Sequence, residues 1–265
     1  MKVAWATDIH LNFPPRDVAQ RFLDTIRSLD ADCLLISGDI ATAPTLPGWL
    51  SRIEEAAGRP VHFTLGNHDF YHGSIASVRA AVRDLVGQST RLHWLTESGH
   101  FRLGDNTALV GHDGWGDGRL GNGLGSDVQL NDFLLIEELS HLDRPQLLQT
   151  IQALGDEAAR HFRAVLPQAL QEAQHILVLT HVPPFAEATW HEGRHSDDNW
   201  LPFFACKAVG DVLSGTMLQN PDKRMTVLCG HTHGGGVARI LPNLVVRTGP
   251  SEYGHPVIQD AFEWD

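Results

Sequence analysis

The stretch VHFTLGNHD, residues 61–69, contains in one short run the pattern that decides the fold of this chain. Its first five residues are mostly apolar, β-branched or aromatic, which is typical of a buried strand. The strand is followed by Gly66 and then by three polar side chains with electron pairs to donate: Asn67, His68 and Asp69. In open α/β sheets, ligands bind beyond the carboxyl ends of the strands. The stretch therefore predicts a buried strand that ends at a binding site.

The same pattern occurs at four other places along the chain. Each time a short apolar run ends in aspartate or histidine: 3–7 leads to Asp8 and His10, 33–37 to Gly38 and Asp39, 176–180 to His181, and 225–229 to Gly230, His231 and His233. Strands that share a sheet edge would bring these side chains into one crevice. The glycines, which lack a Cβ, permit unusual backbone angles and a close approach at a crowded centre.

The segments between and after these strands complete an α/β pattern. Apolar spacing predicts helices over 16–29, 47–57, 74–86, 128–139, 145–173 and 203–218, and shorter strands near 92–95, 100–103, 107–111, 236–240 and 244–247. The glycine-rich stretch 111–125 predicts a loop, and 185–199 is polar and irregular. The alternation indicates an α/β protein with strands in more than one sheet. Since no linker or repeat interrupts residues 1–265, we expect a single domain.

Charge and cysteine content limit the class of partner and the compartment. Twenty basic side chains against 32 acidic ones give a formal charge of −12, which disfavours nucleic acid because phosphate backbones need a basic surface. A small phosphorylated substrate remains compatible, since bound cations reverse the local field. Three scattered cysteines, no signal-like N-terminus and no apolar run of roughly 18 residues predict a cytoplasmic protein that does not bind a membrane.

The side chains after the five strands form a coherent set of metal ligands. The set has two aspartates, one asparagine and four histidines: Asp8, His10, Asp39, Asn67, His181, His231 and His233. Mixed nitrogen and oxygen donors without thiolate suit Mn, Fe, Zn, Co or Ni better than Ca or a structural Zn. Seven donors are too many for one tetrahedral ion. They suit two ions about 3.5–4 Å apart, bridged by a carboxylate.

The order and spacing of these blocks, from Asp8 to His233, resemble the calcineurin-like metallophosphoesterase superfamily. The resemblance implies a four-layer α-β-β-α sandwich of two mixed sheets flanked by helices. It also implies a role for each donor: one metal ion held by Asp8, His10 and His233, the second by Asn67, His181 and His231, and Asp39 bridging both. His68 would face the phosphate and donate a proton or a hydrogen bond on the leaving side, with Asp69 as the partner that orients it.

The activity that follows is hydrolysis of a phosphomonoester or phosphodiester by a metal-bound hydroxide, with two transition metal ions as cofactors. General acid help from His68 would contribute roughly 10²–10⁴-fold. Two alternatives stay open. A metal-dependent nuclease is disfavoured by the charge of −12, and a catalytically silent scaffold of the same fold is disfavoured because every ligand position is intact.

Substrate contacts are predicted from two loops. The irregular segment 183–199 follows His181, and long irregular segments are often functional, so Arg194 or His195 is a candidate to contact phosphate. A solvated loop is the alternative. Asn12 follows His10 closely and is predicted either to touch substrate or to form a turn.

Overall fold

The computed structural model describes residues 1–263. The strands are β1 (Lys2–Ala6), β2 (Cys33–Ser37), β3 (Val61–Thr64), β4 (Leu92–Trp94), β5 (Phe101–Leu103), β6 (Thr107–His112), β7 (His175–Thr180), β8 (Trp190–His191), β9 (Arg194–His195), β10 (Arg224–Cys229), β11 (Gly236–Leu241), β12 (Leu244–Thr248) and β13 (Asp260–Glu263). The helices are α1 (Arg16–Ser28), α2 (Leu46–Ala57), α3 (Ile75–Gly87), α4 (Asp132–Leu135), α5 (Arg144–Glu172), α6 (Leu201–Phe204) and α7 (Lys207–Gln219). Short 3₁₀ helices occupy Asn67–Phe70, Leu95–Glu97 and Ala186–Ala188.

Two mixed sheets form the centre of the molecule. The first has the order β13-β1-β2-β3-β4, in which β1 to β4 are parallel and β13 is antiparallel to β1. The second has the order β11-β12-β10-β7-β6-β5, with four parallel central strands and an antiparallel strand at each edge. A parallel strand covered on both faces needs a nearly continuous apolar run, and all five residues of β2 are buried.

Alternate residues of each strand face two different layers. In β2, Cys33 and Leu35 point between the sheets, where they pack with side chains of the second sheet such as Leu177 and Leu228. Leu34 and Ile36 point outward, into a cluster that includes residues of α1 and α2. The outer face of the second sheet packs against α5 and α7 through a separate cluster. The order of layers is helix, sheet, sheet, helix, which confirms the predicted four-layer sandwich.

Most helix ends follow the local signals in the sequence. The segment before α5 places Asp143 as the cap: its carboxylate accepts from Gln146 N at 2.9 Å, and Pro145 stands in the first turn. Helix α2 ends at Gly58, which adopts φ +60°, a left-handed angle that glycine accepts at little cost. Across residues 1–263 no helix is both long and apolar enough to cross a membrane.

The helix predicted over 128–139 is wrong: only Asp132–Leu135 is helical. The reason is that the backbone of this segment forms hydrogen bonds with the chain that follows β3. His72 N donates to Leu135 O at 2.8 Å, and Glu137 N donates to Gly73 O at 3.1 Å. These groups are no longer available to a continuous helix, so the segment lies across the end of the first sheet instead.

Three further differences concern the second half of the chain. The helix predicted over 203–218 is split into α6 and α7, because Cys206 N donates to Pro183 O (2.9 Å) and Ala205 O accepts from Asp117 N (3.1 Å). The segment predicted as irregular, 185–199, contains the hairpin β8–β9. Strand β13 was not predicted, since it is only four residues long and half polar, and its position depends on pairing with the distant strand β1.

Acid is expected to destabilise the fold through His62 in β3. This side chain is 4% exposed and lies against His93 and Phe101, and burial lowers its pKa from 6.5 to about 3. Below pH 6.5 the imidazole is therefore protonated in the unfolded chain but stays neutral in the folded chain. The free energy of unfolding then falls by about 1.4 kcal/mol for each pH unit. When the pH is lowered from 7 to 5, the free energy of unfolding should fall by about 2 kcal/mol more in wild type than in His62→Phe, as measured by urea unfolding. Identical losses in both proteins would contradict this assignment.

Candidate metal centre

The loops that follow β1, β2, β3, β7 and β10 meet at one end of the two sheets. This is the carboxyl end of parallel strands, as the sequence predicts. The structure brings all seven predicted donors to this place: Asp8, His10, Asp39, Asn67, His181, His231 and His233.

The backbone at this centre is unusual for residues that have side chains. Five of the donors adopt the left-handed region, with φ between 41° and 71°: Asp8, His10, Asp39, His231 and His233. Such conformations cost about 1–3 kcal/mol each and are concentrated at functional sites. The neighbouring glycines leave the necessary room, because a Cβ on Gly66 would overlap the Asp39 carboxylate and one on Gly230 would overlap that of Asp8. The chain therefore turns sharply at each strand end to direct these side chains inward.

One group of donors consists of Asp8, His10, Asp39 and His233. Their ligand atoms all lie within 4.8 Å of one another, and three of the four residues are buried. His10 Nε2 is 3.2 Å from His233 Nε2 and 3.6 Å from Asp39 Oδ2, and His233 Nε2 is 3.4 Å from Asp8 Oδ1. This geometry suits a single metal ion held by imidazole and carboxylate.

The second group is centred on the side-chain oxygen of Asn67. This oxygen lies 3.1 Å from His181 Nε2 and 3.0 Å from His231 Nδ1. The other nitrogen of each ring contacts a backbone carbonyl: His181 Nδ1 lies 2.8 Å from Ser37 O, and His231 Nε2 lies 3.0 Å from Phe203 O. Since a carbonyl only accepts, those nitrogens donate, and the nitrogens that face Asn67 are the ones free to bind a metal.

Asp39 lies between the two groups. Its Oδ2 faces His10, while its Oδ1 is 3.4 Å from His181 Nε2 and accepts from His68 N at 2.9 Å. Its side chain is 1% exposed, so water does not screen it. One carboxylate therefore offers an oxygen to each donor group.

The chemistry of the donor atoms indicates that metal ions fit between them. The Asn67 oxygen is an electron-pair donor, and His231 Nδ1 faces it with a lone pair because the other ring nitrogen is committed to Phe203 O. Two lone pairs at 3.0 Å repel each other unless a cation lies between them. The residues present thus fit metal ions in both groups.

The pKa values of His10, His231 and Asp39 favour the forms that bind metal, whereas that of His181 favours the protonated ring. Burial lowers the pKa of His10 to about 4 and that of His231 to about 3, so both rings are neutral at pH 7. Burial alone would raise the pKa of Asp39, but His181 and His68 beside it outweigh this and hold the pKa well below its usual range. Burial lowers the pKa of His181, but the charges of Asp39 and Asp8 and the hydrogen bonds with Asp39 and the Ser37 carbonyl together raise it to about 10. Metal binding therefore has to displace the His181 proton.

His68 lines the open side of the centre. Its Nε2 is 3.9 Å from Asp39 Oδ2 and 3.4 Å from the hydroxyl of Tyr253, and its ring stacks on Tyr71 at 4.2 Å between centroids. The ring therefore faces the cavity with one nitrogen and is held from behind by an aromatic surface.

Asp69 does not have the contact that was predicted for it. Its carboxylate accepts three backbone hydrogen bonds, from Ile40 N (2.9 Å), Ala41 N (2.8 Å) and Gly66 N (2.8 Å). The prediction that it orients the His68 ring is wrong, because both oxygens point to the chain after β2 and to the turn after β3. Asp69 instead joins the two loops that carry Asp39 and Asn67.

The predicted substrate residues are not among those that line the cavity beside the donors. Arg194 and His195 are exposed on β9, the outer strand of the hairpin, because Gly234 N binds Trp190 O (3.0 Å) and so docks β8 against the loop after β10. His191 of β8 reaches the cavity in their place. Asn12 is exposed in a turn, which is the second of its two predicted roles, and its contact with substrate stays a prediction.

A cavity of about 280 Å³ opens over the donors, and several of its lining residues were not predicted. Among them are Tyr71, Asp132, His191, Phe204 and Tyr253. Tyr71 had a local signal in its position two residues after Asp69, and His191 lies in the segment 183–199 that the sequence predicts to border the substrate pocket. Asp132 lies in a segment predicted as a helix, and Tyr253 lies in a stretch with no motif, so sequence pattern alone did not identify them.

Comparisons with known proteins agree with this geometry. No curated protein sequence matches the chain. Among solved structures, phosphopantetheinyl hydrolase from Mycobacterium tuberculosis is similar over 96% of this chain and 90% of that chain, with a TM-score of 0.69 and 14% identity. A dimetal phosphatase from Danio rerio is similar over 94% and 87%, with a TM-score of 0.56 and 16% identity. Identities this low show a shared fold alone. The family model for calcineurin-like phosphoesterase, however, matches residues 1–235, which include every donor, and the chain therefore belongs to the calcineurin-like phosphoesterase family.

Proposed function

We propose that this chain is a dinuclear-metal phosphoesterase that hydrolyses a phosphomonoester or phosphodiester. The position of Asp39 carries the proposal, because its two oxygens face two separate groups of nitrogen and oxygen donors. Membership of a phosphoesterase family supports the reaction class. The mixed donor set without thiolate supports Mn, Fe or Zn as the ions.

The proposed ligand sets follow the two groups. Asp8, His10 and His233 hold one ion, Asn67, His181 and His231 hold the other, and Asp39 bridges them. When bound, two such cations supply a water molecule of lowered pKa and positive charge for the phosphate oxygens. Burial would raise the pKa of Asp8, but the hydrogen bond with His233 and the charges of His181 and His233 together outweigh it and lower the pKa, so Asp8 is ionised and able to bind a cation.

His68 is proposed to serve the leaving group. It is the cavity-facing imidazole outside the two ligand sets that lies nearest Asp39, and the hydroxyl of Tyr253 is within 3.4 Å of its Nε2. From there the ring can donate a proton or a hydrogen bond to an oxygen that departs from phosphorus. Asp69 acts only indirectly, by holding together the loops that carry the centre.

The cavity wall indicates a substrate with little charge beyond the phosphate itself. Its lining residues include no lysine or arginine, and the formal charge of the whole chain is −12. At the rim, Phe13 and Tyr253 are 51% and 45% exposed, and their rings lie 4.6 Å apart. A small ester with an uncharged, partly apolar organic group therefore fits better than a polyphosphate or a nucleic acid strand.

A metal-reconstituted assay tests the proposal. The panel contains nitrophenyl mono- and diesters, cyclic nucleotides, dinucleotide polyphosphates and single-stranded DNA, each with Mn²⁺, Fe²⁺ or Zn²⁺. We expect hydrolysis of the small esters, loss of activity with chelator, and weaker hydrolysis of the two polyanionic classes. Arg194→Ala, which changes an exposed residue of the hairpin, is the matched control and should retain wild-type rates. No turnover of any ester under any metal loading would refute the proposal.

A further inference from the structure

We propose that Asp132 is a positioning residue that turns the oxygen of the Asn67 amide toward the metal centre. This inference rests on the proposed function, because it treats Asn67 as a metal ligand. It concerns a carboxylate from the segment between β6 and α5, far from every ligand in sequence. Asp132 is 3% exposed and lines the cavity.

The contacts define the orientation of the amide. Asn67 Nδ2 donates to Asp132 Oδ1 at 2.8 Å, and the hydroxyl of Tyr71 donates to the same oxygen at 2.6 Å. All three side chains are buried, so water does not replace these bonds. Because Asp132 Oδ1 accepts from both donors, it binds the amino end of the amide and not its oxygen. The oxygen end is then left to face His181 and His231.

Without Asp132 the amide has a reason to turn round. His231 Nδ1 presents a lone pair, because its Nε2 donates to Phe203 O, and a lone pair binds the amino end of an amide and not the oxygen. His181 Nε2, which holds a proton until a metal ion displaces it, favours the oxygen end, so the two rings alone do not fix the amide. The two ends of an amide are nearly equal in size, so the reversed form fits the same space. Reversed, Asn67 would present N–H groups where a cation has to bind.

The carboxylate of Asp132 is not needed to hold its own segment in place. The backbone does this through Leu135 O and Glu137 N, which pair with His72 and Gly73 after β3. The bridge between Gly73 and Ile136 lies in the same stretch. A change confined to the Asp132 side chain should therefore leave the segment docked and affect chiefly the amide.

The experiment measures binding of Mn²⁺ alone, by titration calorimetry and by metal analysis after gel filtration. Asp132→Leu, which keeps the branched shape, and Asp132→Ala both remove the acceptor. Two variants are used in case one does not fold, and circular dichroism checks the fold of each. We expect the second Mn²⁺ to bind about 10–100-fold more weakly in each, while the first remains bound. Asp132→Asn keeps an oxygen that can accept from Asn67 and Tyr71 but also gains an amino group that can donate, so its affinity for the second ion should fall between those of wild type and Asp132→Leu.

A rescue variant separates orientation from general damage. In Asn67→Asp the side chain ends in two oxygens, so its orientation no longer matters. The double variant Asn67→Asp with Asp132→Leu should bind the second ion more tightly than either single variant. It does not depend on amide orientation, as Asp132→Leu does, and it does not place two carboxylates side by side, as Asn67→Asp does. Wild-type affinity in both acceptor-free variants, or no recovery in the double variant, would overturn the inference. A wild-type protein that never binds a second ion would instead overturn the proposed function.

Discussion

Asp39→Asn is expected to lower kcat/KM for a small phosphate ester by on the order of 10³, because it removes several kcal/mol of charge stabilisation. Asparagine matches aspartate in shape but has one oxygen and an amino group in place of two oxygens. Whichever way it turns, one donor group receives N–H in place of a ligand atom, since Oδ2 faces His10 and Oδ1 faces His181. The variant should therefore lose a bound ion as well as activity.

Metal content and rate are measured on the same Asp39→Asn sample, by elemental analysis and by nitrophenyl ester hydrolysis. Asp113→Asn is the matched control. Asp113 is also buried, 2% exposed, but its Oδ1 accepts from Leu65 N, Trp94 and Thr96 and touches no proposed ligand side chain. That variant should keep two ions. Two ions at wild-type affinity in Asp39→Asn would exclude Asp39 as the bridge.

The parts of this molecule that the sequence predicts well are those encoded by contiguous residues. A few adjacent residues are enough to predict an apolar strand such as β3 and the ligand cluster that begins at Gly66 and Asn67. The strands, their carboxyl-end clusters and the layered fold follow from that local rule. The same rule brings seven donors together, because parallel strands deliver their following loops to one end of a sheet.

The parts that were missed depend on partners distant in sequence. The segment 128–139 has helical spacing, yet its carbonyl and amide groups pair with His72 and Gly73, and no local pattern encodes that choice. The same rearrangement delivers Asp132 to Asn67, 65 positions earlier. Asp69 shows the opposite error: it follows His68 directly in sequence, but its side chain points away to backbone amides. Adjacency along the chain is a poor guide to contact where the chain turns tightly.

His68→Ala is expected to reduce kcat by roughly 10²–10⁴ for an ester whose alcohol leaves poorly. The size of the loss should depend on the leaving group. An alkoxide needs a proton as the bond to phosphorus breaks, whereas nitrophenolate is stable without one. An alkyl phosphate should therefore show the full effect and a nitrophenyl phosphate only a small one. The measurement is kcat for a series of esters that differ only in the acidity of the alcohol.

Tyr253→Phe provides the comparison that identifies the donor. The hydroxyl of Tyr253 lies 3.4 Å from His68 Nε2 and could itself protonate the leaving oxygen. Burial raises the pKa of this hydroxyl above its usual 10, so it holds its proton more firmly than an imidazolium would. If His68 is the donor, the steep dependence on alcohol acidity appears in His68→Ala and not in Tyr253→Phe. The reverse result would assign the proton to the tyrosine. An equal loss for every ester in His68→Ala would mean that the imidazole binds the phosphate and does not protonate the alcohol.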